Sequence, residues 1–234
     1  MRSDLAKKVL PPSQQKLKPL LEEFSSTHIL VWWTAIALQI GHRQSIDFDL
    51  FRFWPQGSGK ELMQRIQKSW FTPNTSDNTI RWLSHEEQSE AHCVIHGVKI
   101  QFVDFSRNPF DEKISLESNK ILEWSIASLD LLHLWAMKIY AMMYRAKWKD
   151  AIDLVYIMKQ WFSLEILIEK AKEIFKKLYQ EKASLETLID EKRDMSEEVI
   201  WIDENHMKKQ EILDYLKKMV DKYLKTIRNH SSST

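Results

Sequence analysis

The sequence has a single cysteine, Cys93, in 234 residues. One cysteine excludes an internal disulfide and a cysteine-based zinc site, and it fits a reducing compartment, so we expect the cytoplasm. The first fifteen residues lack the apolar stretch of about 7–15 residues that marks a signal peptide. No uncharged run approaches the roughly 20 residues needed to cross a bilayer, so we expect no membrane partner.

An excess of charge of either sign is also missing. Lysine and arginine together number 34 against 33 acidic residues, and both halves of the chain are nearly neutral. Bulk charge therefore indicates neither a nucleic-acid surface nor a membrane surface. The chain instead has 44% hydrophobic residues, which is enough for a substantial core.

The first half of the chain mixes helix and strand patterns. We predict three elements before the segment SIDFDLF at 45–51: a short helix with Pro19 in its first turn, a buried strand at 28–33 and a short helix that ends at Gly41. In SIDFDLF every second residue is apolar, which predicts a strand with one face in the core, formed by Ile46, Phe48 and Leu50.

Mixed patterns continue to about residue 105. Residues 59–70 have helical spacing, and residues 79–88 predict a strand that runs into a polar loop. Residues 91–105 contain two β-rich runs around His96-Gly97, which predict a hairpin.

From about residue 119 helical stripes replace strand-like alternation. Residues 128–145 are apolar on nearly all sides, and residues 163–179 form a helical pattern with Ser163 as its N-cap. A last apolar helical stripe runs from Ile212 to Ile227, and we expect the final SSST to be frayed. We therefore predict an α+β protein, with a small mixed-sheet core at 1–118 followed by a C-terminal helical bundle at 119–234.

Two carboxylates stand two positions apart in SIDFDLF. Asp47 and Asp49 share one face of the predicted strand, where they repel each other unless a cation or protons relieve them. Mg²⁺ takes oxygen ligands, and paired aspartates commonly hold it where phosphoryl and nucleotidyl groups are transferred. A half-exposed strand with acidic outward positions is the alternative interpretation.

Gly41-His42-Arg43 comes immediately before this strand. An imidazole and a guanidinium could meet phosphate oxygens near the two acids there. The alternatives are that His42 is a partner of the helix C-terminal dipole and that Arg43 faces solvent.

These residues carry a resemblance to a known family. TAIALQIGHRQSIDFDLF at 34–51 resembles the signature of the AbiEii-like nucleotidyltransferases, toxins of abortive-infection and type IV toxin–antitoxin systems, which have a DNA polymerase β-type core and a helical domain. The matching positions include Thr34, His42, Arg43, Ser45 and the two aspartates, so the resemblance implies that these residues serve a triphosphate and its metal.

A second block, at 128–158, resembles the helical segment of the same family. That segment has a lysine on a buried helix, then an arginine, then Lys-Asp-x-x-Asp-Leu, which here implies site roles for Lys138, Arg145 and Asp150. Independently of the family, a lysine on an apolar helix face is costly to bury unless an anion pairs with it, whether a phosphate or a carboxylate of Asp150 or Asp153. Asp150 could equally be an N-cap.

Two features depart from the family pattern. Where the family has a Gly-Gly or Gly-Ser pair, this chain has Trp32-Trp33, which crowd a triphosphate cradle and resist a positive φ. Trp33 either stacks on a nucleotide, plugs the pocket or packs in the core. For the third carboxylate of polymerase β-type sites, KIQFVDF offers Gln101 in one register and Asp104 in the other; we expect Asp104, the only acid there, as the third metal ligand.

The resemblance implies a Mg²⁺-dependent nucleotidyltransferase that moves a nucleoside monophosphate from a nucleoside triphosphate to a hydroxyl of a tRNA 3′ end or a protein. It also implies a cognate antitoxin as partner. Asp47, Asp49, Lys138 and Asp150 would be the catalytic residues. Two alternatives stay open: a degenerate binding or regulatory protein on the same scaffold, and a small-molecule enzyme of the antibiotic-adenylylating kind.

Overall fold

The computed structural model describes residues 3–52, 64–68, 79–85, 88–105, 119–122, 125–202, 204 and 206–231. Contacts divide the chain into two compact units, Met1–Leu131 and Leu132–Thr234. No helix within the described ranges is long and apolar enough to span a bilayer.

A seven-stranded mixed sheet forms the first unit, in the order β3-β4-β5-β2-β1-β7-β6. The strands are β1 (Ile29–Val31), β2 (Asp47–Arg52), β3 (Thr79–His85), β4 (Gln88–Ile95), β5 (Val98–Phe105), β6 (Asn119–Ile121) and β7 (Ala127–Leu129). Strand β2 pairs antiparallel with β1 and parallel with β5, so it is hydrogen-bonded on both sides.

Among its described residues the first unit also contains the helices α1 (Ser3–Val9), α2 (Pro12–Gln15), α3 (Lys18–Phe24) and α4 (Trp32–Ile40). The predicted helix with Pro19 in its first turn is confirmed as α3, and Gly41 ends α4 in the left-handed conformation at φ 70°. The strand predicted at 28–33 is shorter than expected, because Trp32 and Trp33 already belong to α4.

The hairpin predicted around His96-Gly97 is confirmed. Strands β4 and β5 pair in antiparallel register up to Ile95 and Val98. Both turn residues have positive φ, 51° at His96 and 74° at Gly97. A two-residue hairpin turn needs such values for its twist to match the right-handed twist of the two strands. Of the helix predicted at 59–70, residues 64–68 are helical, and the rest lies outside the described residues.

Strand β2 is more enclosed than its alternation predicts. Phe48 and Leu50 are fully buried, but Asp49 and Phe51 on the alternate positions are buried as well. Ile46 precedes the strand and is 52% exposed, so the prediction that it lies on the core face was wrong.

The second unit contains α5 (Leu131–Met142), α6 (Trp148–Gln160), α7 (Leu164–Phe175), a 3₁₀ turn (Lys176–Leu178), α8 (Glu181–Leu188) and α9 (Lys209–Ser231). Ser163 caps α7 as predicted, accepting a hydrogen bond from the amide of Ile166. Helix α9 packs on α6, α7 and α8 through its predicted stripe, of which Ile212, Leu216, Val220 and Tyr223 are buried.

The expectation that no strand follows residue 119 was wrong. Strands β6 and β7 extend the sheet of the first unit, and the division between units falls after Leu131. Each of these strands has three residues, too few for an alternation to stand out in the sequence.

Candidate functional site

The two predicted carboxylates lie on alternate residues of β2. Parallel pairing with β5 puts Lys99 beside Asp47 and Gln101 beside Asp49, and antiparallel pairing of β5 with β4 puts His92 beside Gln101. These five residues contribute to the lining of one cavity of about 420 Å³. The first unit thus has two acids, an amide, an imidazole and an ammonium around one concave site.

The register of β2 and β5 places Gln101, and not position 104, directly beside Asp49. Position 104 pairs with Arg52. The expectation that Asp104 is the third metal ligand stays a prediction. Gln101 occupies the position beside Asp49.

Hydroxyl and amide side chains hold the backbone of Asp47. Its carbonyl accepts hydrogen bonds from Thr34 Oγ1 and, at 3.0 Å, from Gln14 Nε2. Thr34 Oγ1 also bonds Ser45 Oγ at 2.7 Å, and Ser45 Oγ lies 3.4 Å from Asp47 Oδ1. In this structure Thr34 and Ser45 are buried and position the carboxylate-bearing strand.

We expect Thr34→Val to lower the free energy of unfolding by about 1–3 kcal/mol. Valine has a similar shape but cannot donate to the Asp47 carbonyl, and it leaves the buried Ser45 hydroxyl without this partner. Urea unfolding of the variant beside the exposed-site control Ser13→Ala measures the difference. Equal stability of Thr34→Val and the control would contradict the positioning role.

Trp32 has the backbone conformation that a glycine would adopt. Its φ is 56°, a left-handed value that costs a side-chain-bearing residue about 1–2 kcal/mol. The indole is half-buried and packs on the ring of Phe51, with centroids 5.4 Å apart. The first residue of α4 therefore has a glycine-like backbone geometry but carries a large ring.

Trp33, His42 and Arg43 are all buried. The Arg43 guanidinium lies 5.5 Å from the centroid of the Trp33 ring and donates to the Gln44 carbonyl at 2.9 Å. Of the three interpretations of Trp33, this arrangement supports core packing. None of the three residues belongs to the lining of the carboxylate cavity in the part of the chain that the structure describes.

The second unit has its own charged cluster, entirely buried. Lys138 Nζ lies 2.7 Å from Asp150 Oδ1 and 3.8 Å from Asp153 Oδ2, and all three side chains are inaccessible to solvent. Burial lowers the pKa of Lys138 to about 8, although the two carboxylates act in the opposite direction. Arg145 Nε lies 3.5 Å from Asp150 Oδ2, so Asp150 contacts two cations.

Asp150 is not the N-cap of its helix. Helix α6 begins at Trp148 after Lys147 as N-cap, and Asp150 lies inside the first turn. A carboxylate there is favoured by the helix dipole, and the ion pair with Lys138 compensates its burial.

Arg193 was missed by the sequence analysis. It is buried, and its Nη2 donates to the carbonyls of Thr187 and Leu188 at 2.5 and 2.6 Å, at the end of α8. Burial lowers the pKa of Arg193, while Asp150 and Asp190 raise it. No local signal marks this residue, because it stands in the charged run DEKRDMSEE, which is typical of a solvated loop.

The donor set of the first unit suits a hard divalent cation. Two carboxylates in one concave site are what Mg²⁺ commonly takes from a protein, the remaining ligands being waters and substrate phosphates. Within the described ranges, however, no group of three or more His, Cys, Asp and Glu residues could hold a metal. Asp47 and Asp49 are the residues that would hold such a cation.

Comparison with protein families gives a match over most of the chain. The model of the family described as "Nucleotidyl transferase AbiEii toxin, Type IV TA system" matches residues 34–229. No curated protein matches the sequence.

Two solved structures have similar folds. JHP933 from Helicobacter pylori has 15% sequence identity and a TM-score of 0.54, with 94% of each chain covered. MenT4, a nucleotidyltransferase toxin from Mycobacterium tuberculosis H37Rv, has 8% identity and a TM-score of 0.52, with 94% of this chain and 88% of that chain covered. At these identities the likeness shows the fold alone. The family match covers most of the sequence, and the chain therefore belongs to the AbiEii family of nucleotidyl transferase toxins of type IV toxin–antitoxin systems.

Proposed function

We propose that this protein is a Mg²⁺-dependent nucleotidyltransferase that moves a nucleoside monophosphate from a nucleoside triphosphate to a hydroxyl group. The observation that carries the proposal is the pair Asp47 and Asp49, which are two residues apart on β2 and line the same cavity. Family membership supports the class of reaction.

Asp47 and Asp49 would hold the cation, which when bound neutralises charge on the triphosphate. The acceptor hydroxyl oxygen bonds to the α-phosphorus and its proton passes to solvent water. The bond from that phosphorus to its bridging oxygen breaks, and pyrophosphate leaves with the electron pair. Hydrogen bonds from Thr34 and Gln14 to the Asp47 carbonyl hold the backbone of Asp47 in place during these changes.

For the buried cluster of the second unit, the family resemblance implies catalytic roles of Lys138, Arg145 and Asp150. Lys138 and Arg145 are its cations nearest Asp150. We assign Asp150 an orienting role, since it already accepts a hydrogen bond from Lys138. A proton-accepting role for Asp150 rests on the family resemblance alone.

For the biological context we propose a toxin paired with a cognate antitoxin, acting in the cytoplasm on the 3′ end of a tRNA or on a protein hydroxyl. The type IV toxin–antitoxin family supports the toxin and antitoxin roles. Incubation of total RNA and total protein with α-³²P-labelled nucleotides would identify the acceptor by the fraction that becomes labelled.

A degenerate binding protein on the same scaffold is the second candidate. The observation that favours it is Trp32, whose ring stands where the family has a glycine. Crowding at this turn would weaken a triphosphate cradle built from backbone amides.

Calorimetric titration with each of the four nucleoside triphosphates and Mg²⁺ separates the two candidates. We expect Mg²⁺-dependent heat with at least one nucleotide, and loss of that heat in Asp47→Ala/Asp49→Ala, because two of the metal ligands are gone. Absence of heat with every nucleotide, from wild-type protein shown to be folded by circular dichroism, would reject the enzyme and favour the binding protein.

A further inference from the structure

Lys99 lies directly beside the first metal-binding carboxylate. The parallel register pairs it with Asp47, so the two side chains project from the same face of neighbouring strands about 5 Å apart at their Cα atoms. Lys99 is exposed and contributes to the lining of the carboxylate cavity. In the described part of the chain the structure contains no ion pair between Lys99 and Asp47, so the ammonium remains available to a bound anion.

Gln101 occupies the neighbouring position, beside Asp49. A third carboxylate on a later strand, as in the polymerase β-type pattern, would help two aspartates to hold two divalent cations. A glutamine offers a neutral oxygen and adds no negative charge. Two carboxylates and one amide therefore suit one divalent cation and not two.

With Lys99 included, the site has the same net charge as a site of three carboxylates and two divalent cations. Three carboxylates with two divalent cations leave one unit of net positive charge facing the triphosphate. Two carboxylates, one divalent cation and one ammonium leave the same net charge. A lysine ammonium is also a compact, strongly hydrated point charge, and in that respect it resembles a metal ion more closely than an arginine does.

We propose that Lys99 takes the place of a second divalent cation in this site. The site then binds one divalent cation through Asp47 and Asp49, and the Lys99 ammonium binds a phosphate oxygen of the triphosphate. This inference rests on the proposed function, because it assumes that the site takes a metal and a triphosphate.

The test uses Mn²⁺ as a spectroscopic substitute for Mg²⁺ and inorganic tripolyphosphate as the part that all nucleoside triphosphates share. Counting bound Mn²⁺ by electron paramagnetic resonance should give one ion per wild-type chain at saturation. Lys99→Gln should weaken tripolyphosphate binding by about tenfold or more, since a charge-assisted hydrogen bond is lost. Lys16→Gln, which removes an exposed lysine elsewhere in the same unit, should bind like wild type.

A second experiment tests whether a variant without Lys99 can bind an additional metal ion. Lys99→Gln/Gln101→Glu restores a third carboxylate beside Asp49 and should bind a second Mn²⁺ per chain. Any one of three results would overturn the inference: two Mn²⁺ ions bound to wild type, equal tripolyphosphate affinity of Lys99→Gln and Lys16→Gln, or a single Mn²⁺ bound to the folded double variant. Mn²⁺ binding that survives in Asp47→Ala/Asp49→Ala would instead reject the proposed metal site itself, whatever the result for Lys99.

Discussion

Asp49→Asn is expected to lower the rate of nucleotidyl transfer by about 10³-fold, because a preorganised electrostatic interaction with the transition state is commonly of this size. Asparagine has nearly the same shape as aspartate, but it removes one of the two negative charges that would hold the cation. The β2 backbone at this position pairs with Val31 on one side and Gln101 on the other, so the strand should keep its geometry. Transfer is measured as pyrophosphate release or as labelling of total RNA and protein.

Stability distinguishes this loss from misfolding. Urea unfolding of Asp49→Asn, followed by far-UV circular dichroism, shows whether the variant is folded under the conditions of the transfer assay. Asp4→Asn, which alters an exposed acid of α1, should leave the transfer rate unchanged. Full transfer activity in Asp49→Asn would show that this carboxylate does not hold the cation.

Lys138→Met is expected to lower the free energy of unfolding by about 3–5 kcal/mol, the usual cost of removing one partner of a buried ion pair. Methionine fills similar space, but it leaves Asp150 and Asp153 as two buried carboxylates without the ammonium between them. Arg145, which lies 3.5 Å from Asp150, compensates only part of this charge. Urea unfolding followed by far-UV circular dichroism measures the loss.

Two controls identify the cause of that loss. Lys138→Met/Asp150→Asn should recover part of the stability, because one uncompensated carboxylate is removed along with the ammonium. Lys147→Met, which alters a lysine of a partly exposed ion-pair network with Asp194 and Glu197, should have a much smaller effect. No recovery in the double variant would mean that the cluster is stabilised by packing and not by charge.

The pH dependence of stability gives an independent check on Lys138. Its usual pKa is 10.5, and burial lowers the pKa in the folded protein to about 8. Between these values the unfolded chain binds a proton that the folded chain does not, so this group makes the free energy of unfolding rise with pH. Wild type should therefore gain stability relative to Lys138→Met from about pH 8 to pH 10.5. A constant difference across this window would contradict a depressed pKa.

The sequence was sufficient for several features whose information is local. Alternation with a period of two marked β2, the pair His96-Gly97 marked the hairpin, and Ser163 marked the start of α7, as the structure confirms. A strand, a tight turn and a helix cap are each specified within a few residues of chain. The family signature is likewise contained in short contiguous segments.

Other features depend on residues that are distant in the chain. The register between β2 and β5 decides that Lys99 and Gln101, and not Asp104, lie beside the two aspartates. The side chain of Arg43 is buried against Trp33, and Arg193 reaches the end of α8, without any local signal. Short-range periodicity specifies which residues form a strand and which of them share a face. The pairing partner and its register are set by long-range packing and hydrogen bonding of the whole sheet, so only the tertiary structure could place Lys99 beside Asp47.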